Sequence, residues 1–193
     1  MEREQVIEYL ASIRKQPKEL NNLFCEAFPR DLAGRINHAI KYGVRDHLTG
    51  LHRREELVFR LQEEVDRVIR YPETHSCCCI LDVDYLKEIN DSLGHLKGDN
   101  TLKRLAMLLV EQLRPTDFTA RYGGDEFAIL LPETNRHGAE FLMKRIKEIC
   151  ESEKICFSFG ITELDSESTV EQVLGRADEA MYENKRNNHR AES

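Results

Sequence analysis

The sequence predicts an α/β fold, and three stretches carry that prediction. The first is a hairpin. Asp117 to Tyr122 has Phe118, Ala120 and Tyr122 at every second position, Phe127 to Leu131 is a short apolar run, and Gly123-Gly124 stands between them. The turn is read as needing positive φ, which glycine takes without steric cost. The second stretch is the apolar run Cys77 to Leu81, a buried-strand pattern that gives way to a helical one at Tyr85 to Asp91. The third is a helix over 100–114, opened by Gly98-Asp99 and stopped by Arg114-Pro115.

In chain order, residues 1–45 come before these elements. Val6, Tyr9, Leu10 and Ile13 lie at helical spacing, Leu20, Leu23, Phe24 and Phe28 suggest a second apolar face, and Leu32, Ile36 and Ile40 a third. Pro17 and Pro29 interrupt the pattern and argue against one long coiled coil, so two or three short helices are expected. These helices either pack on the following domain or act as a dimerisation or partner-docking element. The main domain is expected at 46–193.

The strand of the second stretch ends in acids, with Asp82 and Asp84 flanking Val83. Asp84 reads equally well as a helix N-cap. Asp82, one step inside the strand end, does not. Asp125 and Glu126 follow the glycine pair at the hairpin tip. A core strand would not set two carboxylates side by side, because burying unpaired charge is costly. If the strand and the hairpin are neighbours, Asp82, the Val83 carbonyl and Asp125 converge as hard oxygen ligands for Mg²⁺ or Mn²⁺ beside substrate phosphates. The helix start then offers backbone N–H groups to phosphate. By spacing alone, Asp99 is an N-cap and Arg114 an ordinary helix-end cation.

Bulk properties narrow the class. With 193 residues, 40% of them hydrophobic, the chain can bury one sizeable core plus a small appendage. A net charge of −7 argues against binding a nucleic-acid polymer. No apolar run approaches bilayer length and the charged start lacks a signal-peptide pattern, so a soluble, cytoplasmic protein is expected. The six cysteines show no CxxC pairing, and Cys77 to Cys79 fall in the predicted core strand. They read as reduced structural thiols rather than a zinc site.

Five ordered blocks then resemble a known family. Asp82-Val83-Asp84-x-x-Lys87-x-x-Asn90-Asp91, Gly94-His95-x-x-Gly98-Asp99 and Arg121-x-Gly123-Gly124-Asp125-Glu126-Phe127 resemble the GGDEF domain of bacterial diguanylate cyclases. Asp46-His47-Leu48-Thr49-Gly50-Leu51-His52-Arg53-Arg54 resembles its opening motif, D-x-L-T-G-L-x-N-R-R. Ala177-Asp178-x-Ala180-Met181-Tyr182-x-x-Lys185 resembles its closing helix. Leu86 replaces the usual Phe, Asn188 a Gly, and His189 an Arg that often contacts phosphate. The family's last short strand has no counterpart before Ser193.

The resemblance implies a ferredoxin-like palm domain of the nucleotide-cyclase type, with a central, mainly antiparallel sheet flanked by helices. It implies an enzyme that condenses two GTP into cyclic di-GMP with release of two pyrophosphates, each chain of a homodimer holding one GTP. Carried over by position, Asp82, the Val83 carbonyl and Asp125 are metal ligands. Glu126 is a second acid assisting the attacking hydroxyl. Asn90 and Asp99 read guanine, Lys87 and Lys185 lie near the phosphates, and Gly123 and Gly124 belong to the substrate site. A carboxylate can accept from guanine N1 and N2 while an amide both donates and accepts, which suits Asp99 and Asn90.

Five residues separate Asp117 from the glycine pair. That is the family's offset for an Arg-x-x-Asp site that binds cyclic di-GMP as a feedback inhibitor, and it favours this role for Arg114 and Asp117. Arg145 on the next helix is a weaker candidate to join them. Two other readings stand beside the cyclase: a non-catalytic GGDEF receptor for cyclic di-GMP or GTP, and a cyclase of relaxed base choice. The intact acids speak against the first and Asp99 against the second.

Overall fold

The computed structural model describes residues 45–191. The expected N-terminal helices, Cys25 and the side chain of His189 lie outside the described residues. Ten elements follow in order: β1 (His52–Arg53), α1 (Arg54–Arg70), β2 (Cys77–Val83), α2 (Leu86–Leu93), α3 (His95–Gln112), β3 (Phe118–Arg121), β4 (Glu126–Leu131), α4 (Arg136–Ser152), β5 (Phe157–Glu163) and α5 (Val170–Ala191). The strands form one sheet in the order β1-β3-β4-β2-β5. Among the described strands, only β1 and β3 run parallel; the other three pairings are antiparallel. The expected α/β palm, a mainly antiparallel sheet with flanking helices, is therefore what the chain forms.

Both faces of the sheet are covered, and side-chain alternation divides the core accordingly. Cys77, Cys79, Leu81, Phe127, Ile129 and Leu131 face a core completed by Leu105 and Leu109 of α3 and Met143 and Ile146 of α4. Cys78, Ile80, Ala128 and Leu130 face the other, with Leu57, Leu61 and Val65 of α1 and Val173 and Ala177 of α5. Central β2 is buried along its whole length, which is why it reads as a continuous apolar run rather than an alternating one. Burial pushes the thiols of Cys77, Cys78 and Cys150 up to about 12, so they behave as small apolar groups. The described cysteines are free thiols. No helix among the described residues is long and apolar enough to cross a membrane.

Two expected helix starts are corrected. Residue 100 does not open α3: the helix begins at His95, and Gly94, at φ 84°, makes the break from α2. Asp99 thus lies inside the helix and is no N-cap. Gly98 is also helical, for a different reason. A Cβ there would sit 2.0 Å from Asn90 Oδ1, so its bare backbone lets the Asn90 side chain lie against α3. Nor does Asp84 cap α2, because Tyr85, at φ 59°, occupies the N-cap position, with no side-chain capping bond to the helix.

Candidate active site

The hairpin is built as expected but for another reason. Tyr122 and Gly123 both donate backbone N–H bonds to the Glu126 carbonyl, at 2.8 and 3.1 Å, closing the turn between β3 and β4. Neither Gly123 nor Gly124 takes a positive φ, which corrects the conformational argument for this pair. Gly123 is needed for space: a Cβ would fall 2.2 Å from Glu126 Oε2. Gly124 is exposed and has nothing within 4 Å of where a Cβ would stand, leaving the tip open to a ligand.

The tip is tied down at two points. Val83 N donates to the Asp125 carbonyl at 3.1 Å, joining the hairpin to the end of β2. Arg121 donates to the Gly124 carbonyl at 2.6 Å through Nη2 and to Asp46 Oδ1 at 3.1 Å through Nη1. Asp46 also accepts from Thr49, at 2.9 Å from the amide and 2.7 Å from the hydroxyl. Burial raises the Asp46 pKa, but the Thr49 bonds and Arg121 outweigh it and hold the carboxyl below its usual range. The opening motif thus braces the hairpin, a role that the sequence reading missed.

Asp82 stands directly across from Glu126 in the β2–β4 register and from Ser158 in the β2–β5 register. Like charges opposite each other on a sheet are unfavourable, and the titration behaviour reflects it. Burial pushes Asp82 above the usual carboxylate range; Lys185 pulls it back, and Asp125 and Asp84 add to the rise. Glu126 is raised by burial first, then by Asp82, Asp125 and Asp178, with Arg54 opposing. Lys185 reaches in from α5, its Nζ 2.5 Å from Asp82 Oδ1. Burial disfavours its charge, but the bond to Asp82 and the fields of Asp82, Asp84 and Asp125 prevail and raise its pKa.

The fold therefore brings Asp82, Asp125, Glu126 and Lys185 together. Asp84 is buried beside them, where Ser158 Oγ lies 3.0 Å from each of its carboxylate oxygens. Asn188 Nδ2 donates to Ser158 Oγ at 3.0 Å, and Asn184 Oδ1 accepts from Phe159 N at 3.1 Å, pinning α5 to β5. No local sequence pattern links Ser158, Asn184 or Asn188 to Asp84, so the sequence does not mark them as site residues. Lys87 is exposed on the first turn of α2, and Asn90 and Asp99 are half-buried on α2 and α3.

Arg114 and Asp117 lie at the start of β3, the end away from the hairpin. Asp117 Oδ2 accepts from Arg114 N at 2.8 Å, while its Oδ1 is buried without a hydrogen-bond partner. Burial raises the Asp117 pKa against the opposing pull of the Arg114 amide and charge. Arg145 donates to the Gln112 carbonyl at 3.2 Å, close in sequence to Arg114.

Among the described residues, no three His, Cys, Asp or Glu side chains gather into a metal cage. A divalent ion here would rest on a few protein oxygens, those of Asp82, Asp125 and the Val83 carbonyl, and complete its shell from phosphates and water, the usual manner for Mg²⁺. The donor set fits such an ion. Its oxygens are hard, its carboxylates repel one another, and an ammonium is already drawn onto Asp82.

A mixed sheet with helices on both faces and acids at adjoining strand ends defines the palm-like α/β class. The family model described as diguanylate cyclase, GGDEF domain, matches residues 44–191, and the chain belongs to that family. It is 40% identical over 152 residues to the diguanylate cyclase DgcP of Pseudomonas aeruginosa, an overlap that covers 74% of this chain and 22% of the relative. Thus it spans about a fifth of that protein's length. Among solved structures it is similar to the diguanylate cyclase SiaD of Pseudomonas aeruginosa in complex with its activator SiaC, with a TM-score of 0.72 and 31% identity over 96% of this chain and 75% of that one. It is also similar to the GGDEF domain of DgcB from Caulobacter crescentus in complex with c-di-GMP, with a TM-score of 0.70 and 28% identity over 74% of this chain and 90% of that one.

Proposed function

We propose that this chain is a diguanylate cyclase that condenses two GTP into cyclic di-GMP with release of two pyrophosphates, as a metal-dependent homodimer restrained by its product. The observation that carries the reading is the cluster of Asp82, Asp125 and Glu126 at adjoining strand ends, with Lys185 seated on Asp82. Phosphoryl transfer needs charge neutralisation and in-line positioning more than covalent help. Mg²⁺ or Mn²⁺ on Asp82, the Val83 carbonyl and Asp125 would supply Lewis acidity toward the phosphates and the attacking hydroxyl.

The chain's own residues supply the rest. Glu126, its pKa raised, is suited to hold a proton from the 3′-hydroxyl of one GTP as that oxygen attacks the α-phosphate of the other. Pyrophosphate leaves, and the same exchange in the opposite sense closes the ring. Lys185 and Lys87 balance phosphate charge, Gly124 leaves the tip open to the phosphates while Gly123 makes room there for the Glu126 carboxylate, and Asn90 with Asp99 select guanine. A single acidic edge serves one GTP, so two chains must face each other, with residues 1–45 as a dimerisation or partner-docking element. GTP as substrate implies a cytoplasmic site of action. Arg114 and Asp117 form the product-inhibition site.

The test is to incubate purified protein with GTP and Mg²⁺ at several protein concentrations, following pyrophosphate and cyclic di-GMP by mass. Product forming faster than linearly with protein, and lost in Asp125→Ala, supports a dimeric, metal-dependent cyclase. Undiminished activity in Asp125→Ala overturns the metal assignment. Absence of product while cyclic di-GMP still binds favours a receptor.

A further inference from the structure

His52 lies on the edge strand β1, and its surroundings give an imidazole there a use. A groove of about 320 Å³ runs between β1, the end of α3 and the start of β3, with Arg45, His52, Val110, Arg114, Asp117 and Phe118 in its walls. The imidazole lies against the Phe118 ring, centroids 4.3 Å apart and planes tilted by 32°. The Arg60 guanidinium also lies over that ring, at 5.9 Å from its centroid. Both His52 and Phe118 are half-buried, so ring surface remains open.

We infer that His52 is a base-stacking residue of this groove, holding a purine of the ligand whose edge is read by Arg114 and Asp117. The inference rests on reading those two residues as the product site. Arg114 supplies donors, and Asp117 keeps one carboxylate oxygen without a partner. Edge contacts of this kind fix which base is bound but leave its face uncovered. An imidazole already oriented by Phe118 covers that face at little entropic cost. Burial first, then Arg45 and Arg60 against the opposing Glu56, holds the imidazole pKa below its usual value. At pH 7.5 the ring is therefore neutral, a stacking surface rather than a counter-ion for phosphate.

The test is calorimetric titration of cyclic di-GMP into the full chain and three variants. Arg114→Ala is expected to weaken binding by about tenfold or more through loss of a bidentate base contact. His52→Asn is expected to weaken it roughly fivefold, the lower range for losing one stacked base. His52→Phe, which keeps a π face, should remain within about twofold of wild type. In wild type, the His52 ring protons should shift upfield on ligand addition as the base ring current reaches them. If Arg114→Ala weakens binding but His52→Asn binds like wild type, the stacking role is wrong and the product site stands. An unmoved His52 ring resonance at saturating ligand overturns the stacking role even where a variant fails to fold. If Arg114→Ala itself binds like wild type, the product-site reading fails and takes the inference with it.

Discussion

Lys185 Nζ lies 2.5 Å from Asp82 Oδ1, joining the last helix to the end of the central strand across 103 positions of sequence. The ammonium occupies the same negative field that would draw in a divalent ion. Lys185→Met should therefore have two opposite effects. Without metal the variant loses roughly 1–3 kcal/mol of stability, because a largely buried carboxylate is left without its charged partner. With metal, Mg²⁺ should raise Tm more in the variant than in wild type, since no ammonium competes for Asp82. Turnover should still fall by roughly tenfold or more, for want of a positive charge beside the phosphates. Thermal melts across a Mg²⁺ series check this; equal Mg²⁺ stabilisation in the two proteins would count against a metal on Asp82.

Glu126→Gln should make the metal-free protein more stable while abolishing most turnover. The Glu126 pKa is raised in the fold by burial and by Asp82, Asp125 and Asp178. A carboxyl whose folded pKa is raised contributes its stability below the unfolded value, and that contribution is lost as pH rises through the folded value. At neutral pH the ionised group is thus a liability that glutamine removes. The gain in Tm, about 2 °C in a domain of this size, should be present at pH 7 and vanish near pH 4. A variant less stable than wild type at pH 7 would mean that Arg54 outweighs burial and the neighbouring acids at Glu126.

Gly123→Ala tests whether the glycine serves space or backbone conformation. The added methyl would meet Glu126 Oε2 at 2.2 Å, so the carboxylate must swing away while the backbone keeps its course. Stability should change by under about 1 kcal/mol, since φ is not positive here and the clashing atom is the end of a flexible side chain. The rate should drop by roughly a hundredfold, as a displaced acid no longer meets the reacting hydroxyl. Loss of the folded state would instead point to a backbone requirement.

Central β2 was legible because a strand buried on both faces is apolar throughout, and the β3–β4 hairpin because Phe118, Ala120 and Tyr122 alternate. The acids were legible because two carboxylates beside a glycine pair have no packing purpose. Two-residue β1 carries no periodicity of its own and exists only by pairing with Ala120 and Arg121. Asp84 was ambiguous because its partner, Ser158, lies 74 residues away, and nothing near Asp84 in sequence reports it. The start of α3 was misplaced because Gly98 looks like a helix boundary, whereas its lack of a side chain serves the neighbouring Asn90. Local pattern thus reached the strands and their acids; contacts between distant segments decided which partners those acids keep.

The longest of these contacts that braces the hairpin is Arg121 with Asp46, 75 residues apart. One guanidinium spans the Asp46 carboxylate and the Gly124 carbonyl, next to the proposed metal ligand Asp125. Arg121→Ala frees the tip and leaves a half-buried carboxylate with its Thr49 bonds and His47 Nδ1 at 3.9 Å, which should cost roughly 1–3 kcal/mol. Because Arg121 helps hold the Asp46 pKa below its usual value, its stabilisation is present above the unfolded carboxylate pKa and is lost as pH falls through the folded one. Urea melts of wild type and variant should therefore differ most at neutral pH and converge in acid. Arg121→Lys should recover little, since an ammonium cannot bridge two acceptors in the fixed geometry of a guanidinium. A lysine variant with wild-type turnover and stability would reduce the brace to a simple charge pair.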